Sequence, residues 1–177
     1  PIPLSHPNLL QHVVHFQDLE GAGDIFAVDD VFCCLGTTIK KAGSEEAFRK
    51  IDFDYPIKIA AMTQHCGAKQ FSIVTSMGAD PHSRIFYLRI KGETEEALRK
   101  ISFDTLNIFR PSLLLGERNE KRRGEKIGTA LFSVFKPALV GPLRKYRAIQ
   151  AEDVAQAMVL AAQMDFHGVT ILESQRI

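Results

Sequence analysis

A strand, a loop and a helix follow one another in residues 70–91, which read QFSIVTSMGADPHSRIFYLRIK. The run Gln70–Thr75 is rich in apolar and β-forming residues and predicts a buried strand. Turn-forming residues around Pro81 predict a loop, and the pattern over Arg84–Lys100 is helical. A strand that leads into a helix is the repeating unit of a parallel sheet covered by helices, so this stretch favours the α/β fold class.

Three polar side chains in this stretch suggest a chemistry. Tyr87 and Lys91 are four positions apart and would project from one face of the helix, one turn apart. An ammonium beside a phenol favours the phenolate, and Ser76, just after the strand, could share a substrate carbonyl oxygen with the phenol. Proton transfer to or from an alcohol requires these groups, so we predict Ser76, Tyr87 and Lys91 as catalytic. The alternative is a structural pair, because this Tyr–Lys spacing is common in helices by chance.

The rest of the chain repeats the alternation of strands and helices. Strands are predicted at His12–Phe16, Asp30–Leu35, Gln70–Thr75, Thr105–Phe109 and Val169–Leu172, and helices at Glu45–Cys66, Arg84–Lys100, Gly124–Phe135 and Glu152–Met164. This order predicts a single domain over residues 1–177, with helices on both faces of a parallel sheet. Ser44 is a candidate N-cap, Gly67 a candidate helix stop, and Pro56 either bends its helix or marks its start.

Composition excludes several classes of partner. The 177 residues include 45% apolar and 24% charged residues, and 22 basic residues against 21 acidic ones give a net charge of +1. This balance gives no electrostatic reason to expect nucleic acid or a membrane surface as a partner. No apolar run reaches the roughly 18 residues of a membrane span, and the cytoplasm is the default location.

The cysteines and histidines do not form a recognisable site. Cys33 and Cys34 are adjacent on a predicted buried strand and Cys66 stands apart, which favours packing over a disulfide framework. A vicinal redox pair is the alternative for the first two. The six histidines show no metal-ligand spacing, so no metal site is predicted.

Three further segments give the chain a family resemblance. The string Phe32-Cys33-Cys34-Leu35-Gly36-Thr37-Thr38 closes a strand, Arg110-Pro111 ends another, and Glu152-Asp153 opens a late helix. With the Ser/Tyr/Lys spacing, their order resembles the short-chain dehydrogenase/reductase superfamily in its extended or atypical branch. Within that branch, the first string followed by Lys41-Ala42-Gly43-Ser44 is similar to the Tat-interacting-protein oxidoreductases and their bacterial relatives. The resemblance runs from about Val13 to Ser174.

The resemblance implies a Rossmann-like doubly wound parallel sheet and a nicotinamide dinucleotide cofactor, NADP(H) rather than NAD(H). It implies that the lysine at position 91 also hydrogen-bonds the nicotinamide ribose. The cofactor-binding residues implied are Phe16, Leu35, Gly36, Thr37, Thr38, Tyr87, Lys91, Pro111, Ser112 and Leu113. The adenine contact at Phe16 is preceded by His15, where the family often has an acidic residue.

The chain departs from the family at its beginning. The glycine-rich turn that holds a dinucleotide pyrophosphate at a helix N-terminus has no counterpart in residues 1–177. We therefore expect the first strand-helix-strand portion, roughly 35–45 residues, to be absent from this chain. The remaining sheet should then expose an apolar edge.

Two functions remain open at this stage. The first is an NAD(P)-dependent oxidoreductase acting on a small-molecule carbonyl or alcohol. The second is a non-catalytic NADP(H)-binding regulator or sensor with a protein partner. A small substrate-side lobe is expected around residues 117–150, and its charged residues 117–123 would form either a solvated connector or a loop that contacts substrate or phosphate.

Overall fold

The computed structural model describes residues 2–19, 23, 25–115 and 147–177. Its strands are β1 (Asp30–Cys33), β2 (Gln70–Val74), β3 (Thr105–Arg110), β4 (Leu114–Leu115), β5 (Ile149–Gln150) and β6 (Gly168–Glu173). Its helices are α1 (Ile39–Ala42), α2 (Glu45–Arg49), a π-helical segment (Lys50–Asp54), α3 (Tyr55–His65), α4 (Phe86–Leu98) and α5 (Ala151–Ala162).

Four strands form a parallel sheet in the order β1-β2-β3-β6. Phe71 of β2 pairs with Leu106 of β3, and Ile108 of β3 pairs with Ile171 of β6. Strands β4 and β5 form a separate parallel pair. Within the part of the chain described, β1 has a neighbour on one side only, and its Phe32 is 44% exposed.

Apolar residues cover both faces of the sheet. One core joins Phe71, Ile73, Leu106 and Ile108 of the central strands to Ala60 of α3 and Leu98 of α4. The other joins Phe109 of β3 to Val154 and Met158 of α5. Because side chains alternate between the faces of a strand, neighbouring residues of β3 serve different cores. The predicted parallel sheet with helices on both faces is confirmed.

The helix boundaries show which local signals were reliable. Ser44 is the N-cap of α2, and its side chain accepts a hydrogen bond from the amide of Ala47 at 3.0 Å. Gly67 follows α3 with a φ of 99°, a left-handed conformation that glycine adopts without strain. Both predictions are confirmed. The helix predicted over Arg84–Lys100 is shorter, at Phe86–Leu98.

The strand predicted at His12–Phe16 is wrong. Residues 11–15 form no ladder, and a turn follows at residues 16 and 17. Without a neighbouring strand to pair with its backbone groups, the residue pattern alone does not make a strand. The helix predicted at Gly124–Phe135 and residues 117–146 of the expected lobe lie outside the described residues.

The long helix predicted over Glu45–Cys66 contains an irregular turn. The π-helical segment Lys50–Asp54 separates α2 from α3, and Pro56 stands in the first turn of α3. Pro56 has no N–H, so the α-helical hydrogen bond to the carbonyl of Asp52, four residues earlier, cannot form. The hydroxyl of Thr94 on α4 lies within hydrogen-bond distance of that carbonyl, at 2.9 Å, and of the carbonyl of Ile90 in its own helix, at 2.8 Å.

Candidate functional site

A cavity of about 480 Å³ opens beside the carboxyl ends of β1 and β2 and the first turns of α4. It is lined by Cys34, Leu35, Gly36, Thr37, Thr38, Lys41, Asp52, Val74, Thr75, Tyr87, Lys91 and Leu114. Ligands of open parallel sheets bind outside the carboxyl ends of the strands, and binding cavities commonly have volumes of about 300–1,000 Å³. The cavity therefore has the place and the size of a ligand site.

Tyr87 and Lys91 reach the cavity from α4, as their spacing predicts. The ring of Tyr87 packs against the buried ring of Phe48, with centroids 5.6 Å apart. Tyr87 itself is half-buried, whereas Lys91 is only 5% exposed. The helix thus presents a phenol and a deeply placed ammonium to the same space.

The ammonium of Lys91 is paired with a carboxylate that the spacing argument did not include. Lys91 Nζ lies 2.7 Å from Oδ1 of Asp52, whose side chain is fully buried. The other oxygen, Oδ2, accepts a hydrogen bond from the amide of Thr37 at 2.9 Å. Oδ1 has no hydrogen bond of standard geometry among the described residues, so the short contact with Lys91 is best described as an ion pair.

Gly36 gives the loop after β1 a close approach to this ion pair. A Cβ at position 36 would lie 3.4 Å from Asp52 Oδ1 and 3.6 Å from Lys91 Nζ. Any larger side chain would extend toward the two charged groups. Glycine at this position therefore lets the backbone come near the ion pair and leaves the space above the two charged groups unfilled.

Leu35, Thr37 and Thr38 join Gly36 along the wall, as expected from the sequence. The hydroxyl of Thr38 accepts a hydrogen bond from the amide of Lys41 and caps α1. Leu35 is partly buried and packs against the core that joins the central strands to α3 and α4. This segment therefore holds its shape through a cap and a core contact.

The other predicted residues do not line the cavity. Ser76 lies in the loop after β2, and its hydroxyl donates to the carbonyl of Met77 at 3.3 Å. The carbonyl of Pro111 accepts a hydrogen bond from the amide of Met77 at 2.9 Å, which ties together the loops after β2 and β3. Phe16 stacks on Tyr55, with centroids 4.5 Å apart. Their functional roles stay predictions.

Ser112 and Leu113 connect β3 to β4, and Leu114 reaches the cavity in their place. The amide of Ser112 donates to Oγ of Ser174 at 2.7 Å, and its hydroxyl donates to the carbonyl of Arg147. Ser112 therefore joins the β3 end to the C-terminal part of the chain.

A buried polar network stabilises the cavity wall behind Thr75. The hydroxyl of Thr75 donates to Oε1 of Glu95 at 2.7 Å, and Arg110 donates to both Glu95 oxygens, at 2.9 and 2.5 Å. This bidentate hydrogen bonding raises the pKa of Arg110 above its ordinary value. The network links the ends of β2 and β3 to α4.

The two adjacent cysteines have different surroundings. Cys34 lines the cavity, whereas Cys33 is buried in the core that joins the central strands to α3 and α4. Burial raises the pKa of both thiols, and that of Cys33 reaches about 11. Because the thiolate is the reactive form, neither environment favours a nucleophilic role.

Sequence reasoning missed Asp52, Lys41 and Thr75 as cavity residues. Asp52 is distant from Lys91 in the chain, and no fixed spacing relates them. The sequence does contain a signal for Asp52. Pro56 lies within a helical pattern, and such a proline marks an irregular turn where a side chain can point in a new direction.

Solved structures of other proteins share this fold. The structure of RMD from Pseudomonas aeruginosa complexed with NADPH aligns with a TM-score of 0.69 at 17% identity, covering 97% of this chain and 70% of that one. An identity this low shows the fold alone, and it confirms the predicted α/β Rossmann-like architecture.

Fungal relatives bear on the location of the protein. Protein FMP52, mitochondrial, from Candida albicans is 36% identical over 79% of this chain and 61% of the relative. Other fungal relatives carry the same mitochondrial name. The expectation of a cytoplasmic protein is contradicted by these relatives and was wrong. No helix in the described ranges has the length and apolar character to cross a membrane.

Sequence relatives establish the family. Protein HTATIP2 from Rattus norvegicus is 41% identical over 129 residues, which are 72% of this chain and 53% of the relative. The chain thus spans about half the length of the curated relatives it matches. The resemblance inferred from the Cys-Cys-Leu-Gly-Thr-Thr string is confirmed. A family model described as HIM1 matches residues 13–140, and the chain belongs to the HIM1 family.

Proposed function

We propose that the protein binds a nicotinamide dinucleotide in the Tyr87–Lys91 cavity and acts as an NAD(P)-dependent oxidoreductase on a carbonyl or alcohol. The observation that carries this proposal is the convergence of Tyr87, Lys91 and the Gly36–Thr38 backbone on one cavity at the strand ends. RMD, which shares the fold, is complexed with NADPH, and this gives independent support.

The residues that line the cavity fit such a cofactor. Lys91 offers an ammonium, Thr37 and Thr38 offer hydroxyl groups, and Gly36 leaves open the space that a Cβ would fill. Ammonium and hydroxyl groups can hydrogen-bond the hydroxyls of a ribose, and apolar neighbours such as Leu35 and Val74 can pack against a flat ring. Lys91 and the Gly36–Thr38 segment would hold the ribose end of the dinucleotide.

Each side chain then has a defined task. A bound dinucleotide would supply or accept the hydride. Tyr87 would give its hydroxyl proton to the carbonyl oxygen of the substrate during reduction, and in the reverse direction it would take that proton back from the alcohol. Ser76 would hold the same oxygen through its hydroxyl.

A second candidate is a dinucleotide-binding regulator without turnover. One observation favours it: Ser76 does not line the cavity, and its hydroxyl is engaged with the carbonyl of Met77. Catalysis would require that hydroxyl to turn toward the substrate. In the regulator, bound cofactor would instead control contacts with a protein partner.

We propose NADP(H) as the preferred dinucleotide, on the basis of the resemblance to the atypical branch. Titration of the protein with NADPH and with NADH, followed by cofactor fluorescence, measures the preference. Equal affinities for the two cofactors would contradict this part of the proposal.

The proposed chemistry is tested with Tyr87→Phe. The variant keeps the ring that packs on Phe48 and loses the proton donor. Turnover of a panel of aldehydes and ketones with NADPH should fall about 10²–10⁴-fold, the usual contribution of a general acid. NADPH affinity should remain within about twofold of wild type, because the hydroxyl acts on the substrate oxygen and the ring still packs.

Tyr55→Phe is the matched control, because Tyr55 stacks on Phe16 and does not line the cavity. Its turnover should equal that of the wild type. Unchanged turnover in Tyr87→Phe would remove the catalytic role. NADPH binding with no turnover of any carbonyl by the wild type would favour the regulator.

A further inference from the structure

Asp52 is a carboxylate placed where a charge is costly to bury. It is 1% exposed and lies within the π-helical segment Lys50–Asp54. A buried charge requires compensation by a cation and hydrogen bonds, and π-turns inside helices often occur at functional sites. The carboxylate of Asp52 is therefore a candidate for a functional role.

Its two oxygens connect two parts of the cavity that come from different elements. Oδ1 lies 2.7 Å from Nζ of Lys91 on α4, and Oδ2 accepts from the amide of Thr37 at 2.9 Å, in the loop after β1. One planar carboxylate thus fixes the distance between the ammonium and the loop backbone. Gly36, next to Thr37, passes directly over the pair.

The backbone of Asp52 is itself held from α4. Pro56 leaves the Asp52 carbonyl without its α-helical donor, and the Thr94 hydroxyl, 2.9 Å from that carbonyl and 2.8 Å from the carbonyl of Ile90, shares its hydrogen bond between the two. Thr94 is 1% exposed and lies one turn beyond Lys91. The carboxylate is therefore placed by the same helix whose lysine it contacts.

We propose that Asp52 is a positioning residue that holds the Lys91 ammonium and the Gly36–Thr37 backbone as one preformed cradle for the ribose of the dinucleotide. This proposal rests on the proposed function of the cavity. The Asp52–Lys91 pair has no net charge, so it suits an uncharged diol better than a phosphate. The cradle would be formed before the ligand arrives, which lowers the ordering cost of binding.

The first test is Asp52→Asn, which keeps the shape of the side chain and removes its charge. Exchange of the Thr37 amide hydrogen, measured by NMR in the protein without added cofactor, should become at least tenfold faster. The NADPH dissociation constant should rise at least tenfold. The side chain of Asn has one acceptor oxygen, which cannot serve Lys91 and Thr37 together, so a Thr37 exchange rate and an NADPH dissociation constant that both equal those of the wild type would overturn the proposal.

A double-mutant cycle separates positioning from general stability. If Asp52 acts through Lys91, adding Asp52→Asn to Lys91→Met should change NADPH affinity by less than about twofold, since neighbouring residues in one network are not additive. If the fall in NADPH affinity of the double variant equals the product of the falls in the two single variants, the proposal is overturned. The pair of variants described next keeps the test decisive when Lys91→Met alone does not fold.

Thr94→Val and Thr63→Val form a matched pair of buried substitutions. Each removes a threonine hydroxyl that bonds a carbonyl of its own helix, Ile90 for Thr94 and Ile59 and Ala60 for Thr63, but only Thr94 also reaches the carbonyl of Asp52. Thr94→Val should speed Thr37 exchange and weaken NADPH binding several-fold. Thr63→Val should leave both unchanged, and equal effects of the two variants would overturn the proposal.

The outcomes distinguish this proposal from the proposed function. If the wild type binds neither NADPH nor NADH, while Asp52→Asn still releases the Thr37 amide, the cofactor proposal fails and the positioning by Asp52 stands. If NADPH binds and Asp52→Asn alters neither Thr37 exchange nor affinity, the function stands and Asp52 has no positioning role.

Discussion

At the residue scale, the buried Lys91–Asp52 ion pair matters more for the position of its charged groups than for the stability of the fold. Their side chains are 7% and 0% exposed, so both charges have been taken from water. The desolvation cost of such a pair often matches its Coulombic attraction. The pair holds the Lys91 ammonium in a fixed position at the cavity. Removal of either partner alone leaves the charge of the other buried and uncompensated.

Cys33 gives a pH-dependent prediction. Burial raises its pKa from the ordinary 9.0 to about 11. Between these values the unfolded chain releases the thiol proton and the folded chain keeps it, so the unfolding free energy should fall as pH rises from 9 to 11. The loss should be about 1.4 kcal/mol per unit of pKa shift, measured by urea unfolding across this range.

Cys33→Ala should lower the unfolding free energy at neutral pH through lost packing and should flatten its fall between pH 9 and 11. Cys66→Ala is the control, because Cys66 is exposed and its removal should leave the fall intact. An equally steep fall in Cys33→Ala would show that another group is responsible.

At the element scale, α4 and the loop after β2 are joined at Gly92, directly after Lys91 in the chain. A Cβ at Gly92 would lie 2.2 Å from the carbonyl carbon of Asp80 and from the nitrogen of Pro81. The amide of Asp80 also donates to the carbonyl of Leu88 on α4 at 3.1 Å. This close packing fixes the loop that carries Ser76 against the helix that carries Tyr87.

Gly92→Ala should therefore destabilise the protein even though alanine is the better helix former. Helix propensity would contribute a gain of about 1 kcal/mol, but contact with backbone leaves no flexible side chain to move, and overpacking typically costs about 1–3 kcal/mol. We expect a net loss of unfolding free energy in urea and a displaced Ser76 loop.

Gly23→Ala is the control for this substitution, because a Cβ at position 23 meets no atom of the described residues within 4 Å. Its unfolding free energy should change by less than about 0.5 kcal/mol. Greater stability in Gly92→Ala than in the wild type would mean that the loop moves away easily, contrary to the packing argument.

Sequence could predict the elements that local chemistry specifies, and it failed where contacts are long-range. The apolar runs of β2 and β3, the Ser44 cap and the Tyr87–Lys91 helix face all follow from neighbouring residues. The strand at His12–Phe16 failed because a ladder needs a partner. Asp52 was missed because its pairing with Lys91 depends on how the π-helical segment packs against α4.

At the scale of the whole molecule, the parallel sheet brings groups from distant parts of the chain to one edge. The loop after β1, the end of β2 and α4 each contribute to the cavity, and β4 adds Leu114. A ligand that contacts all of them must stabilise the folded state, because the unfolded chain holds none of these groups together. Ligand binding should therefore appear as a change in thermal stability.

The final prediction concerns this linkage. NADPH at about 100 times its dissociation constant should raise the unfolding free energy by about 2.7 kcal/mol. For a chain of this length each kcal/mol corresponds to about 2–4 °C in melting temperature, so we expect a rise of several degrees in a calorimetric or fluorescence melt.

Two variants locate the source of the thermal shift. Tyr87→Phe should keep it, because the phenol acts on the substrate oxygen and its ring still packs on Phe48. The double variant Asp52→Asn with Lys91→Met should lose it, since the ammonium is gone, while no buried carboxylate is left unpaired to unfold the protein by itself. A full NADPH shift in the double variant would place the cofactor away from Lys91 and contradict the proposed site.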